Sequence, residues 1–507
     1  MNMKRRVVLA LLLGMSTASM LPGGARAEVS DRDLARIGHI LVIYAENRSF
    51  DHLYGLFPGA NGLANATDAQ KTQLDHDGTM LPFLTVWRGD KPDERFARLR
   101  NGPFQIDAPP VARAQNEVLP SPIHAYFHNA EQINGGRNNM YVAMSNVGGW
   151  AMGYFDTSNL KLWHWAKEFT LADNFFMGAY GGSFLNHQFL ICACAPEFKA
   201  APADIRVQTD ASGRLRKRPT SPGATHGPVQ AITGGNGGQV TADGYAVNTM
   251  QPMFQPSGVP PVPGGDLTKA DPKGTDRAGP PLPLQSARTV GDTLSAKSVT
   301  WAWYAGAWRQ AEADARLPEA ERKVIYTPGN GSLNFQPHHQ PFNYYTRFAP
   351  GTADRATHLR DGDDLLAAIA DGSLPQVSFY KPAGLLNQHP SYTDLVRGDA
   401  HIADVLERLR GNATLWAKTL VIVTYDENGG FWDHAPPPSG PGWSDRWGPG
   451  TRVPALIISP FAKRGHVDNT SYDTSSVIKL ITRRFALEPL PGVRERAGDL
   501  TNALQFD

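Results

Sequence analysis

The sequence predicts an α/β fold: a mostly parallel β-sheet flanked by helices, with one loop-rich insertion. Five apolar runs are hydrophobic at both alternating sets of positions, as strands covered on both faces of a parallel sheet are. Helical patterns separate several of these runs, and alternation of strand and helix is typical of α/β domains. The runs lie at residues 38–47, 300–306, 376–382, 419–430 and 452–461, and the helical patterns begin at Asp363, His401 and Asp473.

The first 27 residues are interpreted as a signal peptide. Basic residues at positions 4–6 precede an apolar stretch at 7–13, and an Ala-Arg-Ala cleavage pattern follows at 25–27. The paired arginines among the basic residues are compatible with twin-arginine export. The mature domain is therefore expected to span residues 28–507 and to be periplasmic or secreted.

The charge balance of the 507-residue chain excludes one class of partner. Its 49 Lys and Arg residues nearly cancel its 48 Asp and Glu residues, so no strong field steers the molecule towards nucleic acid. The apolar run of the leader is too short to span a bilayer, and no later segment reads as a transmembrane helix. We therefore expect neither nucleic-acid binding nor stable membrane insertion, and the sequence leaves the oligomeric state open.

Two polar groups follow predicted strands directly. Glu46 and Asn47 come after the first apolar run, and Asp426 and Glu427 come after the fourth. Each group alone also fits a solvated polar turn, the first with Arg48 paired to a nearby aspartate, Asp51. The ends of parallel strands share one sheet edge, however, where ligands of such sheets bind. Adjacent carboxylates repel unless a cation lies between them, so together the groups predict a divalent metal site.

A third motif supplies a hydroxyl group. Gly181 and Gly182 precede Ser183, and an apolar helical pattern follows. Glycines before a helix start allow a ligand to approach the backbone, and the free N–H groups of the first turn favour an anion such as phosphate. Ser183 is thus either a simple N-cap residue or a nucleophile activated by a metal ion.

Histidines form a further set of candidates. His124 and His128 are spaced as neighbours on one helix face, His338 and His339 are adjacent in a loop-rich region, and His389 follows the third strand. Imidazole suits phosphate contact and protonation of a leaving group. With fifteen histidines in the chain, any one of them is more often structural than catalytic. Their spacing matches no zinc motif.

The remaining features concern architecture. Residues from about 200 to 341 are rich in glycine and proline and predict a long insertion or lid. The two cysteines, Cys192 and Cys194, are separated by one residue, so their side chains are expected to point apart and to remain free, buried thiols.

Several long motifs together resemble a bacterial phosphoesterase family that joins phosphocholine-preferring phospholipases C with acid phosphatases that inhibit the respiratory burst. The likeness runs from about residue 39 to residue 485. Its motifs are "VIYAENRSFDHLYG", "INGGRNNMYVAMSNVGGWAMGYFD", "LADNFFMGAYGGSFLNHQFLICA", "HHQPFNYY", "VIVTYDENGGFWDHAPPP" and "RVPALIISPFAKRGHVDNTSYDTSS". The resemblance implies an alkaline-phosphatase-like core with a metal-assisted serine or threonine nucleophile.

The resemblance also implies roles for individual residues. The nucleophile falls on Ser183, which is also expected to contact the metal. The other residues fall into three groups: metal ligands at Glu46, Asn47, Asp426 and Glu427; phosphate-binding and acid/base groups at Asn47, His124 and His389; and substrate contacts at His338, His339 and, less directly, His128.

The expected function is that of an exported, metal-dependent acid phosphatase acting on small phosphomonoesters through a phosphoserine intermediate. The phospholipase branch usually carries a threonine in a "PTxPNR" setting, whereas this chain has "GGSFLNH". One alternative is a phospholipase C that cleaves choline phospholipids, and another is an exported metal-binding protein without catalysis. Oxygen ligands favour Ca²⁺ or Mg²⁺, and relatives with this core often hold Zn²⁺.

Overall fold

A computed structural model describes residues 29–96, 98–233, 237–275, 278–327 and 332–506. The predicted signal peptide lies outside the described residues. The described part contains one large eight-stranded sheet and three two-stranded pairs. The strands of the large sheet are β1 (His39–Ala45), β2 (Thr170–Ala172), β3 (Trp301–Ala305), β4 (Leu359–Asp361), β5 (Val377–Lys381), β6 (Thr419–Tyr425), β7 (Ala455–Ile458) and β8 (His466–Asp468). All five predicted strands are present.

The large sheet is mostly parallel, as predicted. Its strand order is β8-β2-β7-β6-β1-β5-β3-β4. Strand β7 runs antiparallel to both of its neighbours, and the other pairings are parallel. The central strands β1, β5 and β6 are buried along almost their whole length, which explains their continuous apolar sequences.

Helices account for the covering layers. They are α1 (Asp31–Leu34), α2 (Phe50–Tyr54), α3 (Asp68–Lys71), α4 (Tyr126–Ile133), α5 (Lys161–Glu168), α6 (Ser183–Cys192), α7 (Val290–Ala296), α8 (Trp308–Asp314), α9 (Ala353–His358), α10 (Gly362–Asp371), α11 (Leu395–Gly411), α12 (Ala413–Trp416) and α13 (Thr474–Phe485). Asp473 precedes α13 and its side chain accepts a hydrogen bond from the N–H of Ser475, and Gly372 follows α10 in a left-handed conformation. The three predicted helices are therefore confirmed, and no helix in the described ranges is long and apolar enough to cross a membrane.

The region predicted as an insertion is mixed. From residue 206 to residue 289 the described residues form turns and isolated bridges without an α-helix or a named strand. The later part of the region, however, contains α7, α8 and the sheet strand β3. The glycine- and proline-rich stretch is therefore irregular, and it still contributes buried side chains such as Val240, Val247 and Met250 to the main hydrophobic core.

The expectation of free thiols is wrong, because Cys192 and Cys194 form a disulfide. Helix α6 ends at Cys192, and the intervening Ala193 has a left-handed conformation with φ of 49°. This change of backbone direction brings together two side chains that a continuous helix or strand would hold apart.

Candidate active site

The two polar groups that follow β1 and β6 lie together at one edge of the sheet. The strands pair in parallel, with Ala45 opposite Tyr425, so the chains leave the sheet side by side. The N–H of Asp426 donates to the carbonyl of Ala45 at 3.1 Å. The arrangement places Glu46–Asn47 beside Asp426–Glu427, as the parallel topology predicts.

A sharp backbone turn aims Asn47 into this cluster. Asn47 has a φ of 67°, a conformation that asparagine tolerates better than most residues, and its N–H donates to Asp426 Oδ1 at 3.2 Å. Gly429, with a φ of 64°, packs closely against it: a Cβ at this position would lie 2.4 Å from the carbonyl oxygen of Asn47. The "ENGG" sequence is therefore needed for the approach of the two loops.

Ser183 is the first residue of α6 and points at the same cluster. Its Oγ lies 3.3 Å from Glu46 Oε1 and 3.3 Å from Asn47 Oδ1. Gly181, with a φ of 88°, allows the helix start to reach this position, because a Cβ there would lie 2.4 Å from the backbone nitrogen of Tyr126. The hydroxyl group thus lies at a helix N-terminus and beside carboxylate and amide oxygens.

The three carboxylates of the cluster are almost completely buried, each with 1% or less of its surface exposed. Burial raises the pKa of Asp426 to about 7, and burial together with the charge of Asp426 raises the pKa of Glu427 well above its usual range. Burial acts in the same direction on Glu46, but the charges of His339 and Lys381 hold the pKa of Glu46 well below its usual range.

The cluster fits a divalent cation. Glu427 Oε2 accepts a hydrogen bond from the N–H of Gly429, whereas Glu427 Oε1 is buried without a hydrogen-bond partner among the described residues. The nearest imidazole nitrogen, Nε2 of His124, is 3.6 Å away. A buried, unpartnered carboxylate oxygen is costly unless a cation satisfies it. The unpartnered Oε1 of Glu427 is therefore the feature of this cluster that fits a bound cation.

His124 and His389 line the same cavity as Ser183. Their rings are 5.8 Å apart, and Nε2 of His124 is 3.3 Å from Nδ2 of Asn47. Burial lowers the pKa of both, that of His389 to about 3. His124 precedes α4 instead of lying on it, so the predicted sharing of one helix face with His128 is wrong.

His338 and His339 belong to a short 3₁₀ turn, Pro337–His339. Nε2 of His339 is 3.1 Å from Glu46 Oε1, and His338 is 5% exposed with neither ring nitrogen hydrogen-bonded within the described residues. Burial holds the pKa of His338 well below its usual value. Glu46, His338 and His339 each bring a ligand atom within 4.8 Å of the others, which makes them a candidate metal group, whereas Glu46, Asp426 and Glu427 do not form such a group among the described residues.

Two predicted features lie away from this cluster. His128 is buried on α4 and is not among the residues that line the cavity above Ser183. Arg48 donates to the carbonyl of Gln388 and does not pair with Asp51. Asp51 instead bonds the ring of His434 and the guanidinium of Arg452. Asp51, Asp433 and His434 are also close enough to form a metal group, but Arg452 already supplies a positive charge there.

The sequence analysis missed three residues that contact the site. Lys381, at the end of β5, places its Nζ 3.1 Å from Glu46 Oε2. Asn387 donates from Nδ2 to the same carboxylate oxygen, and His187, one turn after Ser183 on α6, bonds the carbonyl of Ser183 at 2.7 Å. The sequence contained a signal for Lys381. This residue lies at the end of an apolar run, just as Glu46 and Asp426 directly follow the apolar runs of β1 and β6.

A cavity of about 800 Å³ opens above Ser183. Its described wall is rich in amide and hydroxyl side chains, and Glu46 is the one described lining residue with a carboxylate. The insertion contributes part of the wall. Lining residues include Glu46, Ser121, His124, Asn146, Ser183, Gln239, Gln251, Tyr326, Gln336, His338, His389 and Tyr392.

Ser183 places a buried hydroxyl at a helix N-terminus, beside a carboxylate cluster at the edge of an α/β sheet. This arrangement is typical of metal-assisted hydrolases. Residues 37–488 match the Phosphoesterase family, so the chain belongs to that family. It is accordingly a phosphoric ester hydrolase.

Curated relatives include Phospholipase C B of Mycobacterium tuberculosis, which is 25% identical over 93% of this chain and 78% of the relative. Hemolytic phospholipase C of Pseudomonas aeruginosa is 26% identical over 93% of this chain and 56% of the relative. A solved structure, a protein in the alkaline phosphatase superfamily from Vibrio parahaemolyticus, is 13% identical over 42% of this chain and 50% of that chain, with a TM-score of 0.24.

Proposed function

We propose that this protein is an exported acid phosphatase that hydrolyses small phosphomonoesters through a phosphoserine on Ser183. The observation that carries the proposal is the position of the Ser183 hydroxyl. It lies at the N-terminus of α6, on the floor of the cavity, 3.3 Å from both Glu46 Oε1 and Asn47 Oδ1. A hydroxyl in this setting is placed for attack on a phosphoryl group bound above it.

The proposed cofactor is one divalent metal ion held by Glu46, Asn47, Asp426, Glu427 and Ser183. When bound, such an ion lowers the pKa of a hydroxyl and polarises a phosphoryl oxygen. The oxygen ligands favour Ca²⁺ or Mg²⁺, whereas the imidazoles of His338 and His339 beside Glu46 suit Zn²⁺. Metal analysis of the purified protein distinguishes these ions.

In the proposed reaction, the Ser183 hydroxyl gives its proton to solvent and Oγ attacks phosphorus in line, so that an Oγ–P bond forms and the bond from phosphorus to the alcohol oxygen breaks. The free N–H groups of the first turn of α6 and the amide of Asn47 stabilise the negative charge of the phosphoryl oxygens. Water then attacks phosphorus and releases phosphate together with the Ser183 hydroxyl. Positioning and charge neutralisation supply most of the catalysis, as in phosphoryl transfer generally.

The histidines provide a reason for activity at acidic pH. Nδ1 of His124 donates to the carbonyl of Pro122 at 2.8 Å, and Nδ1 of His389 donates to the carbonyl of Pro390. In a neutral imidazole this arrangement leaves Nε2 without a proton. A histidine can therefore protonate the leaving alcohol only after it has itself been protonated, which acidification favours. His124 is the proposed acid, because burial lowers the pKa of His389 to about 3.

Phospholipase C activity is the second candidate, because the named curated relatives are phospholipases C. The described wall of the cavity presents neutral amides and hydroxyls around Ser183, together with the aromatic rings of Phe184, Tyr326 and Tyr392. A quaternary ammonium headgroup is usually recognised by a cage of aromatic rings, so these three rings are the feature of the cavity that favours the second candidate.

The test uses one metal-loaded preparation with p-nitrophenyl phosphate and, separately, phosphatidylcholine vesicles. We expect release of phosphate from the monoester, acid-trapped phosphoserine at position 183, and loss of both in Ser183→Ala. Faster release of phosphocholine from the vesicles would support the phospholipase instead. Absence of both activities in metal-loaded, folded protein would leave the non-catalytic metal-binding alternative.

A further inference from the structure

Lys381 is a buried cation in direct contact with the carboxylate cluster. It is the last residue of β5, which pairs in parallel with β1, and its side chain is completely buried. Its Nζ lies 3.1 Å from Glu46 Oε2 and 3.4 Å from Asp426 Oδ2. The ammonium group therefore bridges two of the three acidic side chains proposed to hold the metal.

The two bridged carboxylates divide their oxygens between opposite sides. Glu46 presents Oε1 to Ser183 and to Nε2 of His339, and Oε2 to Lys381. Asp426 presents Oδ1 to the backbone N–H groups of Asn47 and Glu427, and Oδ2 to Lys381. Glu46 and Ser183 line the cavity, whereas Lys381 and Asp426 are not among its described lining residues. A metal ion bound near Ser183 and the ammonium of Lys381 would thus share the same two carboxylates.

The formal charges lead to the same arrangement. Glu46, Asp426 and Glu427 carry three negative charges when ionised. Within the described ranges, Lys381 is the one lysine or arginine that forms an ion pair with any of these three carboxylates. The two negative charges that remain are the number that one divalent ion neutralises. A second divalent ion would leave positive charge in excess, and the two ions would repel each other and the ammonium of Lys381.

We propose that Lys381 is a built-in cation of this centre, that it takes the place of a second metal ion, and that it restricts the centre to one divalent ion. This inference rests on the metal site of the proposed function. Lys381 acts through the two carboxylates: its charge neutralises part of theirs and competes electrostatically with the ion that they bind. The metal ion and Lys381 therefore neutralise the same carboxylates, and each weakens the binding of the other; we call this relation antagonism.

Antagonism has a measurable consequence. If Lys381 and the metal neutralise the same carboxylates, each stabilises the fold more when the other is absent. The metal-induced rise in Tm is therefore larger in Lys381→Met, which has a similar length without the charge, than in the wild type. A side chain that only fills space, or that helps to hold the ligands in place, predicts an equal or smaller rise.

The experiment measures Tm of the full mature chain without metal and with saturating Zn²⁺, Mn²⁺ or Ca²⁺, and counts bound ions by plasma mass spectrometry. We expect one ion per wild-type chain and affinity more than about tenfold tighter in Lys381→Met, because a repelling charge a few ångströms away is removed. Lys381→Arg keeps the charge and is expected to behave like the wild type. Lys217→Met, which breaks an ion pair with Glu131 elsewhere, is the matched control.

Two ions per wild-type chain, or a metal-induced rise in Lys381→Met no larger than in the wild type, would overturn the inference. Failure of the wild type to bind any divalent ion would instead overturn the proposed metal site. If Lys381→Met does not fold without metal, the double variant Lys381→Met/Asp426→Asn is used, since it removes one charge of each sign. It is expected to fold without metal, and its failure to fold would show that Lys381 contributes packing and not charge.

Discussion

Replacing His128 by glutamine tests whether this histidine is an uncharged core residue or a contact for substrate. The side chain is 2% exposed on α4, and its Nδ1 has no hydrogen-bond partner in the part of the chain that the structure describes. Burial lowers the pKa of His128 to about 4. In the unfolded chain the pKa is about 6.5, so the native protein resists a proton that the unfolded chain accepts.

The sign and the size of the effect follow from this difference. Below about pH 6.5 the unfolded chain binds the proton and the native chain does not, so His128 lowers the free energy of unfolding as the pH falls towards 4. Between pH 7 and pH 5 the loss amounts to about 2 kcal/mol. For a chain of this size that corresponds to a decrease in Tm of about 2 °C.

The assay is scanning calorimetry at pH 7 and pH 5, with one scan rate for all proteins. We expect the decrease in Tm between these pH values to be about 2 °C smaller in His128→Gln than in the wild type. His226→Gln removes an exposed histidine and serves as the control. Its decrease in Tm between pH 7 and pH 5 is expected to equal that of the wild type. An unchanged decrease in His128→Gln would refute the reasoning, and a raised KM would instead support a contact with substrate.

Three further predictions concern the site and its supporting helix. Ser183→Ala is expected to lower kcat for a phosphomonoester at least about 10³-fold, measured by steady-state kinetics at saturating metal, where the other four proposed ligands still hold the ion as checked by elemental analysis. Glu427→Gln removes the charge of the carboxylate with the unpartnered oxygen and is expected to weaken metal affinity at least about tenfold, measured by titration calorimetry; unchanged affinity would exclude Glu427 as a ligand. Cys192→Ser/Cys194→Ser is expected to lose about 1.5 kcal/mol of unfolding free energy, because the disulfide closes a very short loop, and a reductant should reproduce the shift in the wild type.

Sequence patterns were sufficient where one local rule decides the structure. The buried strands are apolar on both faces, and parallel strands end at one edge, so the approach of Glu46 to Asp426 followed from topology alone. The register of the strands supplied the detail: Ala45 lies opposite Tyr425, which aligns the residues that follow. The catalytic roles assigned by resemblance remain predictions.

Other features depend on contacts between distant parts of the chain. The pairing of Arg48 with Asp51 was a reasonable local expectation, but Arg48 instead reaches the carbonyl of Gln388, and no pattern near Arg48 announces that partner. The disulfide depended on the left-handed conformation of Ala193, which an alanine rarely adopts and which its sequence does not signal.

The site is assembled from remote segments, and this has a consequence for how the protein acquires its ion. The backbone N–H of Asn47 donates to the side chain of Asp426, which lies 379 positions further along the chain. Asn387 contacts the carboxylate of Glu46 across 341 positions. A nascent chain therefore has no complete ligand set until most of its synthesis is finished. Because metal affinity arises only with the folded arrangement, the compartment in which the completed chain folds determines which ions compete for the centre.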